Sequence, residues 1–239
     1  MNEDSGTAYD STAYSCDALP NVGANSNADI SQMIAYESGA CGRARVNGTA
    51  NGTWLNNMFV PVAMQFRFGN EFVVGGWFRA NGINIGSTPA LSDDPRLISK
   101  KRGVYKPYSN KTGFEVNFED SLTKLLVRGQ SSSYFYAKTP TALNNWVSLT
   151  VAYNGTSASV YTNGCLSASR IIEEVLDNDD SITFGGGESV YSLNGQYDEI
   201  RLRGGSLSAD RIKADYDMIA HPGFLNYSSV TNGAGTTSN

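Results

Sequence analysis

Apolar and polar residues alternate with a period of two over most of the second half of the chain. Over residues 146–153, Val147, Leu149, Val151 and Tyr153 fall on one face and Trp146, Ser148, Thr150 and Ala152 on the other. That is the pattern of a strand with one face buried. Asn154-Gly155 follows; both residues tolerate positive φ, so the pair predicts a tight hairpin that matches the strand twist. The chain returns over 158–161, turns again at Asn163-Gly164 and runs on over 165–168, an antiparallel meander. Upstream, 64–68, 71–79, 96–100, 113–118, 122–128 and 133–136 read as further strands, and 182–184 and 196–202 complete the set. Weaker strand signals lie at 33–35 and 43–46, inside an opening stretch rich in Ser, Ala, Gly and Asn. About twelve short strands separated by Gly/Asn turns, with no strand–helix–strand unit, predict an all-β chain of two packed antiparallel sheets.

One helix is signalled near the end. Ser208 is placed to cap it, because its hydroxyl can accept from an orphan amide in the first turn. Asp210 sits where the helix dipole favours a carboxylate, and Leu207 and Ile212 are spaced as a hydrophobic staple. Ile212, Tyr216 and Ile219 form an apolar stripe, and Arg211, Lys213, Asp215 and Asp217 are expected to face water. Pro222 and Gly223 end the element, which is expected to lie over one edge of the sandwich core.

Composition narrows the function. Charged residues make up 17% of the 239, with 18 Lys and Arg against 23 Asp and Glu. A formal charge of -5 argues against a nucleic-acid binder, and no run of about 18 apolar residues is present to span a bilayer. Residues 1–227 read as one domain and 228–239 as a flexible tail or linker. Cys16, Cys41 and Cys165 lack metal-ligand spacing. They read as buried or half-buried thiols, with a Cys16–Cys41 bridge as the alternative.

Candidate chemistry is sparse. A glycosidase needs two carboxylates flanking the scissile bond. The nearest approach is Glu115-Asn117-Glu119 along one strand face, with Glu119 expected at a turn. The lone His221, before Pro222 at a helix end, builds no nucleophile triad. No catalytic residue is therefore assigned. Sugar recognition needs aromatic rings to stack on sugar faces and polar groups for hydroxyls. Tyr105 and Tyr108 flank Lys106-Pro107, and Tyr134-Phe135-Tyr136 places two tyrosines on the face opposite Phe135. These four tyrosines are the ligand-binding candidates. Calcium takes hard oxygen ligands, and Asp10, Asp17, Asp93-Asp94, the 177–180 acidic run and Asp198 are available for it. Asp198 stands out, since Asp198-Glu199 interrupts an apolar strand and a buried carboxylate needs a partner.

The order of these segments resembles a known family. Phe72 to Arg79, Arg96 to Lys100, Gly113 to Val116, the Trp146–Thr156 strand and hairpin, Val160 to Gly164, Ile182 to Gly186, and Gly195 to Leu202 leading into the helix are similar to the bacterial laminin-G-like, concanavalin A-like domains. The resemblance covers about residues 1–227. It implies a concanavalin A-like jelly-roll sandwich of two antiparallel sheets with one short C-terminal helix. It also implies a non-catalytic ligand-binding or adhesive module beside other domains of a larger secreted or cell-surface bacterial protein. The expected partner is a glycan or another cell-surface macromolecule, with a protein-contacting spacer as the alternative and a glycoside hydrolase relative as a third. The family often carries one structural calcium ion, for which Asp198, Asp10 and Asp17 would be ligands. Two departures stand out: Ala13 to Leu19 replaces the usual Gly-Asn-rich segment, and 84–96 reads as a lengthened loop.

Overall fold

The computed structural model describes residues 19–22, 36–41, 43–47, 56–60, 71–81, 95–101, 113–119, 124–128, 133–172, 178, 180–186 and 193–224. In chain order the strands are β1 (Leu19–Val22), β2 (Tyr36–Ser38), β3 (Arg43–Asn47), β4 (Asn56–Val60), β5 (Phe72–Ala80), β6 (Arg96–Lys101) and β7 (Gly113–Glu119). They continue as β8 (Lys124–Arg128), β9 (Tyr134–Lys138), β10 (Val147–Tyr153), β11 (Ser157–Thr162), β12 (Cys165–Ile171), β13 (Ile182–Phe184) and β14 (Gly195–Gly204). One helix, α1, spans Ala209–Ala220. The described strands build two seven-stranded antiparallel sheets, β1-β4-β13-β6-β7-β8-β9 (sheet one) and β12-β11-β10-β5-β14-β3-β2 (sheet two). The expected strand at 64–68 and the one at 33–35 lie outside the described residues.

The period-two pattern fixes which faces meet. In register, Val147, Leu149, Val151 and Tyr153 of β10 lie opposite Phe78, Gly76, Val74 and Phe72 of β5, and all four β10 residues are buried. From sheet one, Phe114, Val116 and Phe118 alternate inward and are almost fully buried. The sheets touch directly where the Phe72 and Phe114 rings stack, centroids 4.8 Å apart, with Tyr153 beside them at 5.3 Å. Such interlocked apolar faces are what make a two-sheet core close-packed.

The two hairpins differ from each other. At Asn163-Gly164 both residues have positive φ, 50° and 75°, as a tight two-residue turn needs. At Asn154-Gly155 only Gly155 does. The Asn154 side chain accepts from the backbone amides of Thr156 and Ser157 instead, at 3.2 and 2.8 Å, which makes a wider side-chain-stapled turn. Asn163 also ties its hairpin back to β10: its Oδ1 accepts from the Ser148 amide at 3.0 Å and its own amide donates to the Ser148 carbonyl at 2.9 Å.

The helix begins as expected, with Ser208 Oγ accepting from the Arg211 amide at 3.2 Å. It lies on the outer face of sheet two, not over an edge of the core. Tyr216 stacks on Trp77, centroids 5.5 Å apart and 14° from parallel. The helix can descend this far because Gly164 has no side chain; a Cβ there would sit 2.9 Å from Lys213 and 3.0 Å from Tyr216. Two residues expected to face water do not. Asp215 is half-buried and Asp217 is buried, receiving Lys213 Nζ and facing His221 Nδ1 at 3.2 Å. Burial follows from their position beside the stripe once the helix lies flat on a sheet.

This arrangement sets a pH response. The Lys213 bond, and more weakly the Lys213 charge and His221, hold the Asp217 carboxyl below the usual carboxylate range, against the opposing effect of burial. A depressed folded-state pKa stabilises the fold above the unfolded value of about 3.9 and is lost as pH falls through the folded one. Urea melts of wild type and Asp217→Asn should therefore differ most at neutral pH and converge at strongly acid pH. A difference that stays constant with pH would show that the carboxylate charge is not what holds the contact.

Candidate functional site

Strands β7, β8 and β9 form the free end of sheet one, and their residues pair in regular register. Glu115 lies opposite Arg128, which lies opposite Tyr134; Asn117, Leu126 and Tyr136 form the next same-face row; Glu119, Lys124 and Lys138 the next. The β9 burial pattern is strictly alternating. Phe135 packs into the core at 8% exposure, while Tyr134 and Tyr136 stand out at 50% and 45%. Their rings meet edge to face, centroids 5.7 Å apart at 79°. Lys124 Nζ lies 4.9 Å from the Tyr136 ring centre, within reach of a cation–π attraction. The result is an aromatic corner with a cation at its side, on an edge strand whose Lys138 carbonyl accepts from Ser167 Oγ of β12.

The acidic residues of this face do not make a hydrolytic pair. Glu115 is 2% exposed and is paired with Arg96, Nη2 to Oε2 at 3.5 Å. Glu119 is the last residue of β7, and Asp120 lies outside the described residues. Four residues along a strand separate the two backbones by about 13 Å, beyond the roughly 5–9.5 Å that glycosidase carboxylates require.

On the other sheet, Asp198 is fully buried. It ends the regular pairing of β14 with β5 at a bulge, where Glu199 adopts φ 50°. Each carboxylate oxygen accepts a main-chain N–H: Oδ2 from Cys41 at 2.9 Å and Oδ1 from Glu199 at 2.8 Å. A Cβ at Gly39 would collide with Oδ2, so the turn after β2 reaches the carboxylate only with glycine there. The expectation that a carboxylate in an apolar strand must have a partner is met, and the partners are backbone amides. Calcium needs about six to eight oxygen ligands. Asp198 brings one carboxylate already engaged on both oxygens, and among the described residues no three His, Cys, Asp or Glu side chains gather. Asp10 and Asp17 lie outside the described residues, as do Asp93, Asp94, Tyr105 and Tyr108.

The thiols differ from expectation too. Cys41 and Cys165 are free and exposed, so Cys41 forms no bridge, and Cys16 lies outside the described residues. Cys41 contributes its amide rather than its sulfur, and Cys165 begins an edge strand whose residues are largely uncovered.

Two antiparallel seven-stranded sheets face to face, with a helix after the last strand, define a lectin-type jelly-roll sandwich. A family model described as the concanavalin A-like lectin/glucanases superfamily (Laminin_G_3) matches residues 65–213, and the chain belongs to that family. Among solved structures, the botulinum neurotoxin serotype G binding domain superposes with a TM-score of 0.63 at 16% identity, over 94% of this chain and 53% of that one. The binding domain of Paraclostridial Mosquitocidal Protein 1 gives 0.61 at 15%, over 91% and 52%. Domain 4 of AbnA, a GH43 extracellular arabinanase from Geobacillus stearothermophilus, in complex with arabinotriose, gives 0.59 at 18%, over 89% and 98%. The chain thus spans about half of each toxin structure and nearly all of the arabinanase domain. At these identities the likeness is one of fold. No curated protein matches by sequence. Among the described residues no helix is long and apolar enough to cross a membrane.

Proposed function

We propose that this domain is a non-catalytic, glycan-binding module of a larger secreted or cell-surface bacterial protein, contacting sugar through Tyr134 and Tyr136. The observation that carries this reading is the pair of exposed rings meeting edge to face on β9 with Lys124 against one of them. A sugar offers an apolar C–H face for a ring and hydroxyls for neighbouring polar groups, and aromatic surface left uncovered on a folded domain marks such sites. The arabinanase domain that shares this fold was solved in complex with arabinotriose, which supports an oligosaccharide as the class of ligand to test.

The test is binding to a glycan array, followed by titration calorimetry with the best ligand. Tyr134→Ala and Tyr136→Ala should each weaken binding about tenfold or more, from loss of ring contact of roughly 1.5 kcal/mol. Melting should be nearly unchanged, because both rings are already half in water. A domain that retains no glycan, or binds equally well in the double variant, removes this reading and leaves a protein-contacting spacer.

A further inference from the structure

The underside of α1 does not close completely on sheet two. Between them runs a groove of about 400 Å³, within the size range of small-molecule sites. Its floor includes Gly75, where β5 presents no side chain between Thr150 of β10 and Arg201 of β14. Tyr216 of the helix forms part of the opposite wall.

The polar groups divide into committed and uncommitted sets. Asp215 binds both Arg201 of β14, at 3.5 Å, and Arg211 of the helix, at 3.0 Å, while Arg201 also meets Glu199 at 3.2 Å. Those two carboxylates compensate those two guanidiniums. Arg203, one same-face position along β14, also lines the groove and has no carboxylate partner among the described residues. The hydroxyls of Ser148 and Thr150 line it as well and have no hydrogen-bond partner among them. Among the described residues, the groove therefore carries one positive charge without a counter-charge, in a chain whose formal charge is -5. It also carries two hydroxyls without a partner among those residues: two strand spacings and two residues of offset put the Thr150 backbone about 12 Å from that of Arg203, and Ser148 lies two residues further, about 16 Å away.

We propose that this groove binds an acidic sugar residue, with its carboxylate or sulfate on Arg203 and its hydroxyls toward Thr150. A guanidinium binds either anion through paired N–H groups. The Thr150 hydroxyl, which can donate or accept, suits a polyol. The groove lies on the opposite sheet from Tyr134 and Tyr136, so the two sites are separable.

The experiment uses 15N-labelled protein titrated with glucuronate, sodium sulfate and glucose, followed by amide shifts. Glucuronate should shift the amides of Gly75, Thr150 and Arg203 with a Kd of about 1 mM. Glucose, which lacks the anion, should bind at least about tenfold more weakly. Shifts with glucuronate alone assign the groove to acidic sugars, and shifts with sulfate too show that the anion contact serves either charged group. Arg203→Gln should weaken glucuronate about tenfold with unchanged melting, since Arg203 is exposed. If that variant melts early, Arg203→Lys is read instead; it keeps the charge without the planar fork and should also bind more weakly. Tyr134→Ala should leave the shifts intact. No shifts at these amides, equal shifts with glucose, or unchanged affinity in the Arg203 variants would overturn the proposal.

Discussion

Asp198→Ala should cost about 2–3 kcal/mol, the sum expected when two part-buried amide N–H groups lose a carboxylate acceptor. The carboxylate is fully enclosed and joins two parts of the chain far apart in sequence, the turn at Cys41 and the bulge at Glu199. Alanine supplies no acceptor for either N–H. Asp198→Asn should also be costly, since both oxygens are accepting and an amide nitrogen would face an N–H. The measurement is the urea midpoint at constant slope, and a loss below about 0.5 kcal/mol would refute the role. A pH signature accompanies it. Burial pushes the Asp198 carboxyl up, with the Cys41 and Glu199 amides opposing and the Glu199 charge assisting. A raised folded-state pKa adds stability that is full below the unfolded value of about 3.9 and disappears as pH rises through the folded one. Wild type should lose more stability than Asp198→Asn over that rise, the reverse of the Asp217 response.

Trp77→Ala should cost about 3 kcal/mol as well, and the loss should appear first in the helix. Trp77 is only 8% exposed although it points away from the sandwich core, because Tyr216 lies flat on it. A twelve-residue helix is marginal alone in water, so α1 depends on this contact for its persistence. Hydrogen exchange should quicken across 209–220 while β5, β10 and β11 stay protected. The same variant should abolish glucuronate shifts in the groove, which would lose its wall. Unchanged protection of the helix amides would show that Ile212 and the Asp215 ion pairs suffice to hold it.

The sandwich was legible because alternation is a local property. Val147 to Tyr153 and Gly113 to Phe118 declare a buried face without reference to anything distant. Tyr134 and Tyr136 were legible for the same reason, since Phe135 between them had to point the other way. Asp198 was legible as a problem and not as a solution. A carboxylate in an apolar strand needs partners, but the amide of Cys41 comes from 157 residues earlier. The burial of Asp217 was not legible, because helical spacing shows which residues flank the apolar stripe and not how flat a surface the helix lies on. The groove was invisible: Gly75, Thr150 and Arg203 belong to three strands whose adjacency no local pattern encodes. A signal did exist in the paired glycines at 75–76 within an otherwise bulky strand, which implies missing volume on the sheet.

Sequence by itself determined that the chain is all-β, where most strands and turns fall, that a capped helix follows the last strand, and which residues of each strand face the core. These depend on side-chain period and turn chemistry, which act over a few residues. Only the tertiary structure decided that β5 lies between β10 and β14, that α1 rests on the outside of sheet two, and that one arginine there has no counter-charge among the described residues. Those outcomes depend on which distant faces fill each other's volume and which charges meet, and that complementarity exists only once the sheets are assembled.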